Sequence, residues 1–482
     1  MTGAGTGPVL FGIGLYLVVI LAVGFVTWRR MRSLDDFVLG GRRLSPFTAA
    51  ISERASGESG WFLLGLPGAA YVAGFAEFWT VIGVSFGIFA SWFLLARLLN
   101  SESRRLGALT IPDFLEAKLG DRSGVLRTVA MAIIVFFYTS YVAFQFNAAG
   151  VLLEASFGLD PLVGVCLGAL VVVFYTFMGG FLAVVWTDVV QGLLMMLVAV
   201  VLPILGIIHL GGPGGFVDTL RASNPDLLSM SGGNAGWGFV NGVVLGGMMW
   251  GLGYLGQPHL LARFMAIRRT SEVRTGATIA VAWVLLAYWG AAFIGLVAIG
   301  VLPGVEAADR EQVMPLLALS LLPAWLAGLA LAGAIAAMMS TADSQLLVVT
   351  SAVVEDFYVR LLKRKADGAT LVRLSRVATI GIAGVALVLA FRNREFIFDS
   401  VEYAWTGLGS SFGPVLLLAL RWKRLSTTGA FAGMAAGMIS TILWKNVPEL
   451  GAWLDMKLAT FALAFAAAIA GSLLAPRRDV AA

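Results

Sequence analysis

The chain has 482 residues, of which 59% are hydrophobic and 13% are charged, and its formal net charge is +5. Soluble globular domains contain about 45–50% apolar and about 25% charged residues, so this composition excludes an ordinary soluble protein and indicates a polytopic membrane protein. The single cysteine, Cys166, excludes a disulfide framework, and the two distant histidines, His209 and His259, disfavour a histidine-rich metal site. No basic run alternates with aromatic residues, so we expect no nucleic-acid partner.

Apolar runs of about 20 residues recur along the whole chain, and they predict helices that span a membrane. Thirteen such spans are expected, at residues 8–28, 46–72, 76–98, 124–153, 160–178, 180–210, 237–262, 273–302, 314–349, 372–391, 396–420, 427–446 and 457–475. The first run follows an uncharged start and has no small-residue cleavage site, so we expect a retained helix and not a signal peptide.

Lysine and arginine distinguish the two sides of the membrane, because cytoplasmic loops carry an excess of them. With the N terminus outside, the predicted cytoplasmic loops and tail hold 26 of these residues, Arg263 among them, and the outer loops hold 6. We therefore expect a multi-pass protein of a bacterial-type plasma (inner) membrane, surrounded by lipid, with its C terminus in the cytoplasm.

Two of the predicted spans are interrupted near their middles. The second contains SERASGESGW, residues 52–61, and the seventh contains MWGLGYLGQPH, residues 249–259. Glycine costs about 1 kcal/mol and proline about 3 kcal/mol inside a helix, and unwound backbone at membrane depth persists only where protein or a watery cavity satisfies it. Two broken helices five spans apart indicate an inverted-repeat transporter with its site at the midplane. Glycines that serve only close helix packing are the alternative.

The inverted repeat divides the chain into four parts. Residues 46–211 (spans 2–6) and 212–420 (spans 7–11) are expected to form two repeats of opposite orientation. Residues 1–45 hold a peripheral first helix and a cytoplasmic loop, and residues 421–482 hold the peripheral spans 12 and 13 with a short tail.

Polar side chains also interrupt the sixth and ninth spans. Ser340, Thr341, Asp343 and Ser344 follow one another in an Ala- and Leu-rich helix, and hydroxyl oxygens suit a small hard monovalent cation. A hydroxyl that bonds back to a carbonyl of its own helix is the alternative explanation for any single Ser or Thr, but it does not account for four polar residues, one of them an aspartate, in five positions. Asp188 in the sixth span is costly in lipid, so we expect it to face the interior near Ser344, with a structural cap as the alternative.

Seven stretches of this sequence resemble the sodium/solute symporter family, and its bacterial sodium/proline branch most. They are FVLGGRRLSPF (37–47), SGWFLLGLPGAAYVAG (59–74), LTIPDFLEAKLGDRS (109–123), YTFMGGFLAVVWTDVVQ (175–191), WGLGYLGQPHLLARFMA (250–266), MMSTADSQLLVVTSAVVEDFY (338–358) and YAWTGLGSSFGPVLLLAL (403–420). The resemblance implies an all-α fold of about thirteen helices with a five-plus-five inverted repeat, a LeuT-like core.

The resemblance also implies roles for particular residues. A sodium site would use the backbone carbonyls of Ala55, Glu58 and Ala337 and the hydroxyls of Ser340 and Thr341. The solute pocket would involve Ser59, Gly60, Tyr141, Trp250, Tyr254 and Pro258. A second cation site or a gate would involve Asp188, Asp343 and Ser344, and Arg42 would contribute to coupling. We also expect Arg54, in the charged stretch of the second span, to contribute to coupling.

The charged stretch in the second span departs from the proline branch. That branch has an aspartate where this chain has Gly57, an uncharged residue at Glu58, and no charged pair at Glu53 and Arg54. We consider that Arg54 and Glu58 pair, or that Glu58 supplies the missing negative charge near the cation. The alternative is structural: a buried ion pair of Arg54 with Glu58 or Glu53 that only stabilises the unwound segment.

These features together predict a sodium-coupled secondary active symporter that imports a small organic solute by alternating access. L-Proline is the first candidate, with another amino acid, a betaine, a monocarboxylate or a sugar as alternatives, and proton coupling as an alternative to Na⁺. We expect neither a channel, which would need a repeated selectivity-filter segment, nor a sensor, which would need a cytoplasmic signalling domain. We do not expect an enzyme either.

Overall fold

The computed structural model of this protein describes residues 6–28, 39–178, 180–362, 368–392 and 395–476. Both chain ends lie outside these ranges, as do the basic residues at 29–32, 363–365, 394, 477 and 478 that enter the charge comparison. The first two residues of the motif at 37–47 and one residue of the motif at 175–191 lie outside them as well.

Every regular element in the described ranges is helical, which confirms the predicted all-α class. The α-helices are α1 (Thr6–Trp28), α2 (Pro46–Gly60), α3 (Leu66–Ala73), α4 (Phe78–Ala90), α5 (Arg97–Leu106), α6 (Ile111–Leu119), α7 (Val125–Phe157), α8 (Pro161–Met178), α9 (Phe181–His209), α10 (Gly212–Ser223), α11 (Gly246–Met248), α12 (Trp250–Gly253), α13 (Pro258–Ala266), α14 (Val273–Val301), α15 (Val313–Leu321), α16 (Ala324–Ser351), α17 (Gly368–Arg392), α18 (Ile397–Arg421), α19 (Thr427–Asn446), α20 (Pro448–Trp453) and α21 (Met456–Leu474). Wider π-helical turns cover Trp61–Gly65, Ser91–Ala96, Gly238–Leu245 and Ala352–Leu361, and 3₁₀ turns cover Gly40–Arg42, Gly74–Glu77, Pro225–Leu228, Thr270–Glu272 and Ala307–Gln312.

The long apolar helices are suited to crossing a membrane. In the described ranges ten qualify singly by length and hydropathy, and the bent pair Gly238–Gly253 and Pro258–Ala266 makes eleven. The run Pro46–Leu106 counts as one although its 61 residues would extend about 90 Å as a straight helix, about three times the hydrocarbon core. Pro161–Phe174 is apolar but shorter. The count of thirteen therefore stays a prediction.

The second predicted span is broken at one residue. Ser59 has φ 52° and ψ −176°, which is outside the helical region and in the left-handed range of φ that non-glycine residues rarely occupy. The chain then continues through the π-helical turn Trp61–Gly65 into α3. The predicted interruption is confirmed, and it falls inside the stretch at residues 52–61.

The seventh predicted span is also broken, as expected. Its two parts, Gly238–Gly253 and Pro258–Ala266, meet at an angle of 45°. The proline begins α13, where its missing N–H costs nothing because the first turn of a helix has no internal acceptor for it. Glycine allows α12 to approach α4 closely: a Cβ added at Gly251 would lie 2.2 Å from the carbonyl oxygen of Gly83.

The broken helix α2 lies at the centre of the bundle. Every residue from 48 to 60 is buried, and α2 packs against α9, α13, α14 and α16. By contrast, large apolar side chains such as Phe86 and Ile208 are 64% and 65% exposed on the outside of the bundle, a surface that suits lipid. The charged stretch is thus enclosed by protein, which is the only setting in which charge at membrane depth is expected.

Candidate functional site

Hydroxyls of α16 meet carbonyls of α2 across the bundle. Ser340 Oγ donates to the carbonyl oxygen of Ala55 at 2.9 Å and to that of Ala337 at 3.1 Å. Thr341 Oγ1 donates to the carbonyl oxygen of Ser56 at 2.9 Å. Both hydroxyls are buried. Five oxygen atoms from two helices are therefore gathered within a few ångströms of one another.

Four of the five residues expected to bind sodium share this cluster, and the fifth is bonded elsewhere. The Glu58 carbonyl accepts the N–H of Trp61 on the far side of the break. The Ser56 carbonyl, which the sequence did not single out, takes a place beside Thr341 and also accepts from His259 Nε2 at 3.1 Å. Neutral hydroxyl and carbonyl oxygens are hard ligands suited to a monovalent cation that must also leave.

A second buried polar cluster lies around Asp188. Ser52 Oγ and Ser56 Oγ donate to Asp188 Oδ2 at 2.6 and 2.9 Å. Arg263 places one guanidinium nitrogen 3.0 Å from the same carboxylate oxygen and 2.6 Å from Ser344 Oγ. Asp188 thus faces the interior near Ser344, as expected, and the two are joined through Arg263.

Arg263 corrects the expectation that placed it in a cytoplasmic loop. It lies in α13, is 0% exposed, and carries the positive charge that balances Asp188. The predicted seventh span ended at residue 262, four residues too early, because α13 continues to Ala266. An arginine one turn after Pro258 in a broken span was the available signal.

Asp343 does not belong to the Asp188 cluster. Its carboxylate accepts a hydrogen bond from Thr176 of α8, and Oδ2 of Asp343 has no hydrogen-bond partner in the described chain. The expected group of Asp188, Asp343 and Ser344 is therefore divided: two of its members meet, and the third faces another helix.

Glu53, Arg54 and Glu58 form a fully buried triad in α2. Arg54 binds both carboxylate oxygens of Glu53, with its Nε 2.7 Å from Oε2, and its NH1 lies 3.3 Å from Glu58 Oε1. Trp92 Nε1 also donates to Glu53 Oε2, at 3.0 Å. The pairing of Arg54 with Glu58 considered from the sequence is present, with Glu53 as the stronger partner.

Ser59 and Gly60, at the break, contact the long helix α7. Tyr141 Oη donates to Ser59 Oγ at 3.3 Å, and Gln145 Oε1 accepts the N–H of Gly60 at 2.8 Å. Three of the six expected solute residues are therefore adjacent. Gln145 was missed from the sequence, although it stands four residues after Tyr141 on the same helix face.

Aromatic rings cover the break on one side. Trp61 stacks on Trp250 with 4.8 Å between ring centroids, and Phe398 lies 5.0 Å from Trp250. Tyr254 hydrogen-bonds to Tyr288 at 2.7 Å, and the Arg54 guanidinium lies 5.1 Å from the centroid of the Tyr254 ring. Trp250 and Tyr254 thus lie in the buried interior, in the same region as Arg54.

Beyond this aromatic layer lies a cavity of about 430 Å³. Trp250 and Phe398 form part of its wall, together with Glu77, Glu402, Asp455 and Lys457. Lys457, on the last helix α21, is 3% exposed and ion-paired with Glu402 and Asp455. Span 13 was expected to be peripheral, yet its first turn contributes to this cavity because the buried lysine reaches toward Trp250.

Two further predicted residues take no part in the hydrogen bonds of Ser59 and Gly60 described above. Pro258 lines a separate small cavity with Arg263, Leu109 and Phe181. Arg42 has a positive φ of 54° and donates to Ser103 Oγ at 3.2 Å, beside the end of α5. Just after Arg42, the Leu44 N–H donates to the Ala266 carbonyl at 3.1 Å, which joins the entry of α2 to the exit of α13.

Comparison with known protein sequences gives consistent matches. The sequence model of the Sodium:solute symporter family matches residues 37–437. The sodium/proline symporter of Escherichia coli (strain K12) is 38% identical over 451 residues, which cover 92% of this chain and 89% of that protein. The high-affinity proline transporter PutP of Bacillus subtilis (strain 168) is 39% identical, over 89% of this chain and 90% of its own length.

Solved structures show the same fold. A Na⁺-coupled sialic acid symporter in a substrate-bound outward-open state superposes with a TM-score of 0.79 at 20% identity, over 98% of this chain and 99% of that one. MhsT in complex with L-phenylalanine gives a TM-score of 0.56 at 14% identity, over 89% and 98% of the two chains. These are transporters of the LeuT fold, so the predicted fold class is confirmed.

Proposed function

This chain belongs to the sodium:solute symporter family, and from that premise we propose that it is a sodium-coupled secondary active symporter that imports L-proline by alternating access. The observation that carries the proposal is the meeting of the Ser340 and Thr341 hydroxyls with the Ala55 and Ser56 carbonyls beside the break at Ser59. It joins a set of hard oxygen ligands to the residues expected to contact the solute.

In the proposed mechanism sodium links α2 to α16. Each hydroxyl now donates to a carbonyl, and when it rotates its hydrogen away a lone pair faces the cation. Ala55, Ala337, Ser340 and Thr341 would hold Na⁺, with the Glu58 carbonyl joining when its bond to Trp61 opens. Sodium carries about 2.3 kcal/mol per 100 mV of membrane potential in addition to its concentration gradient.

Solute binding would use the other side of the same break. Ser59, Gly60 and Tyr141 would contact the solute, and Trp250 and Tyr254 would shape the pocket. Because both ligands require one conformation of the broken helix, each is expected to raise the affinity of the other by the same factor. The Trp61, Trp250 and Phe398 rings must separate for a solute to pass between the cavity and the break.

A gating role suits Asp188 and Ser344 better than a second sodium site. Arg263 already provides a cation between them, so an additional Na⁺ would have to displace a buried guanidinium. Asp343 would act separately, through α8. Arg42, which holds the end of α5 near the entry of α2, and Arg54, which holds the triad, would contribute to coupling.

The proposed location is the bacterial plasma (inner) membrane with the N terminus outside. In that orientation the large cavity beside Lys457 opens to the outside and the small cavity beside Arg263 lies toward the cytoplasm. Another amino acid, a betaine, a monocarboxylate or a sugar is the alternative solute, and a proton is the alternative coupling ion. Uptake by purified protein in proteoliposomes distinguishes these alternatives. Labelled proline is expected to accumulate only with an inward sodium gradient. If proline does not accumulate and a different solute class competes for binding, that class would replace proline as the proposed substrate.

The sodium ligands make the first testable prediction. Ser340→Ala and Thr341→Ala each remove one oxygen from the cluster, and we expect the sodium concentration for half-maximal proline uptake to rise about tenfold, the loss of one interaction of about 1–2 kcal/mol. Ser320→Ala is the matched control, because that exposed hydroxyl bonds only to the Leu316 carbonyl of its own helix. Unchanged sodium dependence in both α16 variants would remove these hydroxyls from the ion site.

A further inference from the structure

Two buried polar atoms of opposite kind lack partners on either side of the break at Ser59. Glu58 Oε2 is an acceptor that receives no well-aligned hydrogen bond from any described residue, and Gln145 Nε2 is a donor that finds no acceptor there. The two side chains are 0% and 1% exposed. Buried polar groups are nearly always satisfied, so an unpaired acceptor on Glu58 and an unpaired donor on a side chain bonded to Gly60 need an explanation.

The Glu58 carboxylate is the undercompensated member of its triad. Arg54 gives Glu53 two hydrogen bonds and Trp92 gives it a third, whereas Glu58 receives a long contact of 3.3 Å from Arg54 and a hydroxyl contact from Tyr288. With both carboxyl groups ionised, two carboxylates and one guanidinium carry one net negative charge. A negative charge that is fully buried and only partly paired favours a bound cation.

The Gln145 amide is oriented by its other end. Its Oε1 accepts the N–H of Gly60 at 2.8 Å, which requires the oxygen on that side and leaves the NH₂ group directed elsewhere. Two unused N–H donors in a buried site suit anionic oxygen atoms, and a carboxylate provides two such oxygen atoms. The indole N–H of Trp61, next in the chain, is also buried and unpartnered.

The two groups are anchored at neighbouring positions of the chain. Glu58 immediately precedes Ser59, and Gln145 is bonded to Gly60, so the backbone atoms that anchor the two ends are at most about 7 Å apart. Tyr141 donates a hydrogen bond to Ser59, the residue between Glu58 and Gly60 in the chain. The rings of Tyr254 and Tyr288 and the Trp61–Trp250 stack supply an apolar wall nearby.

We propose that the break is a zwitterion site in which the Glu58 carboxylate binds the cationic nitrogen of an amino acid and the Gln145 amide binds its carboxylate. The inference rests on the proposed function for the presence of a solute at the break, and it deepens that function by assigning one side chain to each pole. Sugars lack both poles and monocarboxylates lack the nitrogen, so both classes are expected to bind poorly.

Three probes with one ring separate the two poles. L-Proline has both, pyrrolidine has only the nitrogen, and cyclopentanecarboxylate has only the carboxylate. Their dissociation constants are measured by thermal stabilisation of the detergent-purified full chain in sodium buffer. In the wild type, proline is expected to bind at least tenfold more tightly than either analogue, and equal binding of cyclopentanecarboxylate and proline would overturn the proposal.

Variants then test each assignment. Glu58→Gln keeps the shape and removes the charge, so it should weaken proline and pyrrolidine by about 10- to 100-fold and leave cyclopentanecarboxylate within about threefold. Gln145→Leu should show the reverse, weakening proline and cyclopentanecarboxylate and sparing pyrrolidine. Glu58→Asp, which keeps the charge, should retain the wild-type ranking of the probes.

Asp356→Asn is the matched control, because it removes a buried, arginine-paired carboxylate that contacts Arg127 far from the break in sequence. Its probe ranking should equal that of the wild type. Loss of all three probes in parallel in Glu58→Gln, or an unchanged ranking, would show that Glu58 does not bind the nitrogen. Failure of proline to accumulate under a sodium gradient would instead refute the proposed transport and leave the binding result to stand.

Discussion

Five buried charged side chains lie at membrane depth, and each depends on its ion-pair and hydrogen-bond partners for compensation. Glu53, Arg54, Glu58, Asp188 and Arg263 are all 0% exposed. Their hydrogen bonds divide them into two groups, one on each side of the broken helix. Arg263 bridges Asp188 to Ser344, and Arg54 holds both glutamates. Because these groups are fully buried, removing one partner leaves the other charge without compensation.

The Asp188–Arg263 pair should therefore respond strongly to a single substitution. Arg263→Met strands the Asp188 carboxylate, and we expect a loss of about 3–5 kcal/mol in stability, whereas Asp188→Leu combined with Arg263→Met should recover most of it. Melting in detergent measures both. Arg268→Met is the control, since Arg268 is 53% exposed and pairs with Glu272 at the surface, where little change is expected. Equal melting temperatures for the two arginine variants would contradict this prediction.

At the scale of helices, the breaks exist because other elements hold them. Ser59 keeps its unfavourable φ within hydrogen bonds from Tyr141 and Trp61, a strain that persists only where the surroundings fix it. The other broken span, the seventh in the predicted order, is held by backbone contact: Gly83 and Gly87 of α4 face Gly251 of α12. These glycines serve close packing, so the packing explanation and the transporter explanation both apply to the seventh span.

Gly87 tests this contact. A Cβ at Gly87 would lie 2.2 Å from the carbonyl oxygen of Gly251, so Gly87→Ala must move backbone, and we expect a loss of about 1–3 kcal/mol together with weaker proline uptake. Gly381→Ala is the matched control in α17, where nothing lies within 4 Å and alanine favours the helix by about 1 kcal/mol. The two melting temperatures should shift in opposite directions, and a shift of the same sign would argue against the close approach.

On the scale of the whole molecule, cavities lie on both sides of the broken helices. One is lined by Glu77, Glu402 and Lys457, the other by Leu109 and Arg263. Aromatic rings and buried ion pairs separate them. This arrangement agrees with alternating access, in which one barrier opens at a time. The side of the membrane that each cavity faces follows only from the distribution of lysine and arginine.

Labelling of single cysteines tests that orientation. The chain has one cysteine, so Cys166→Ser provides a background without thiols. Asp218 is 74% exposed and Arg105 is 62% exposed, on the predicted outer and cytoplasmic sides. A membrane-impermeant maleimide should label Asp218→Cys in intact cells and Arg105→Cys only after permeabilisation. The opposite pattern would invert the predicted topology and, with it, the direction that each cavity faces.

The sequence by itself determined the membrane class, the two interrupted helices and the polar residues of α16. Hydropathy, glycine and proline act within a few residues of one another, so they can be read along the chain. It also located Ala55, Ser340, Thr341 and Asp188 in spans that prove to be neighbours.

Only the tertiary structure decided which polar groups meet. Arg263, Gln145 and the Ser56 carbonyl join the candidate site through contacts with residues 75 to 285 positions away, and Asp343 leaves its expected group for Thr176. Periodicity gives the face of one helix, but the identity of the facing helix depends on how the whole bundle packs. Charge balance in the interior is set by those long-range contacts, because each buried charge takes its partner from whichever helix lies opposite.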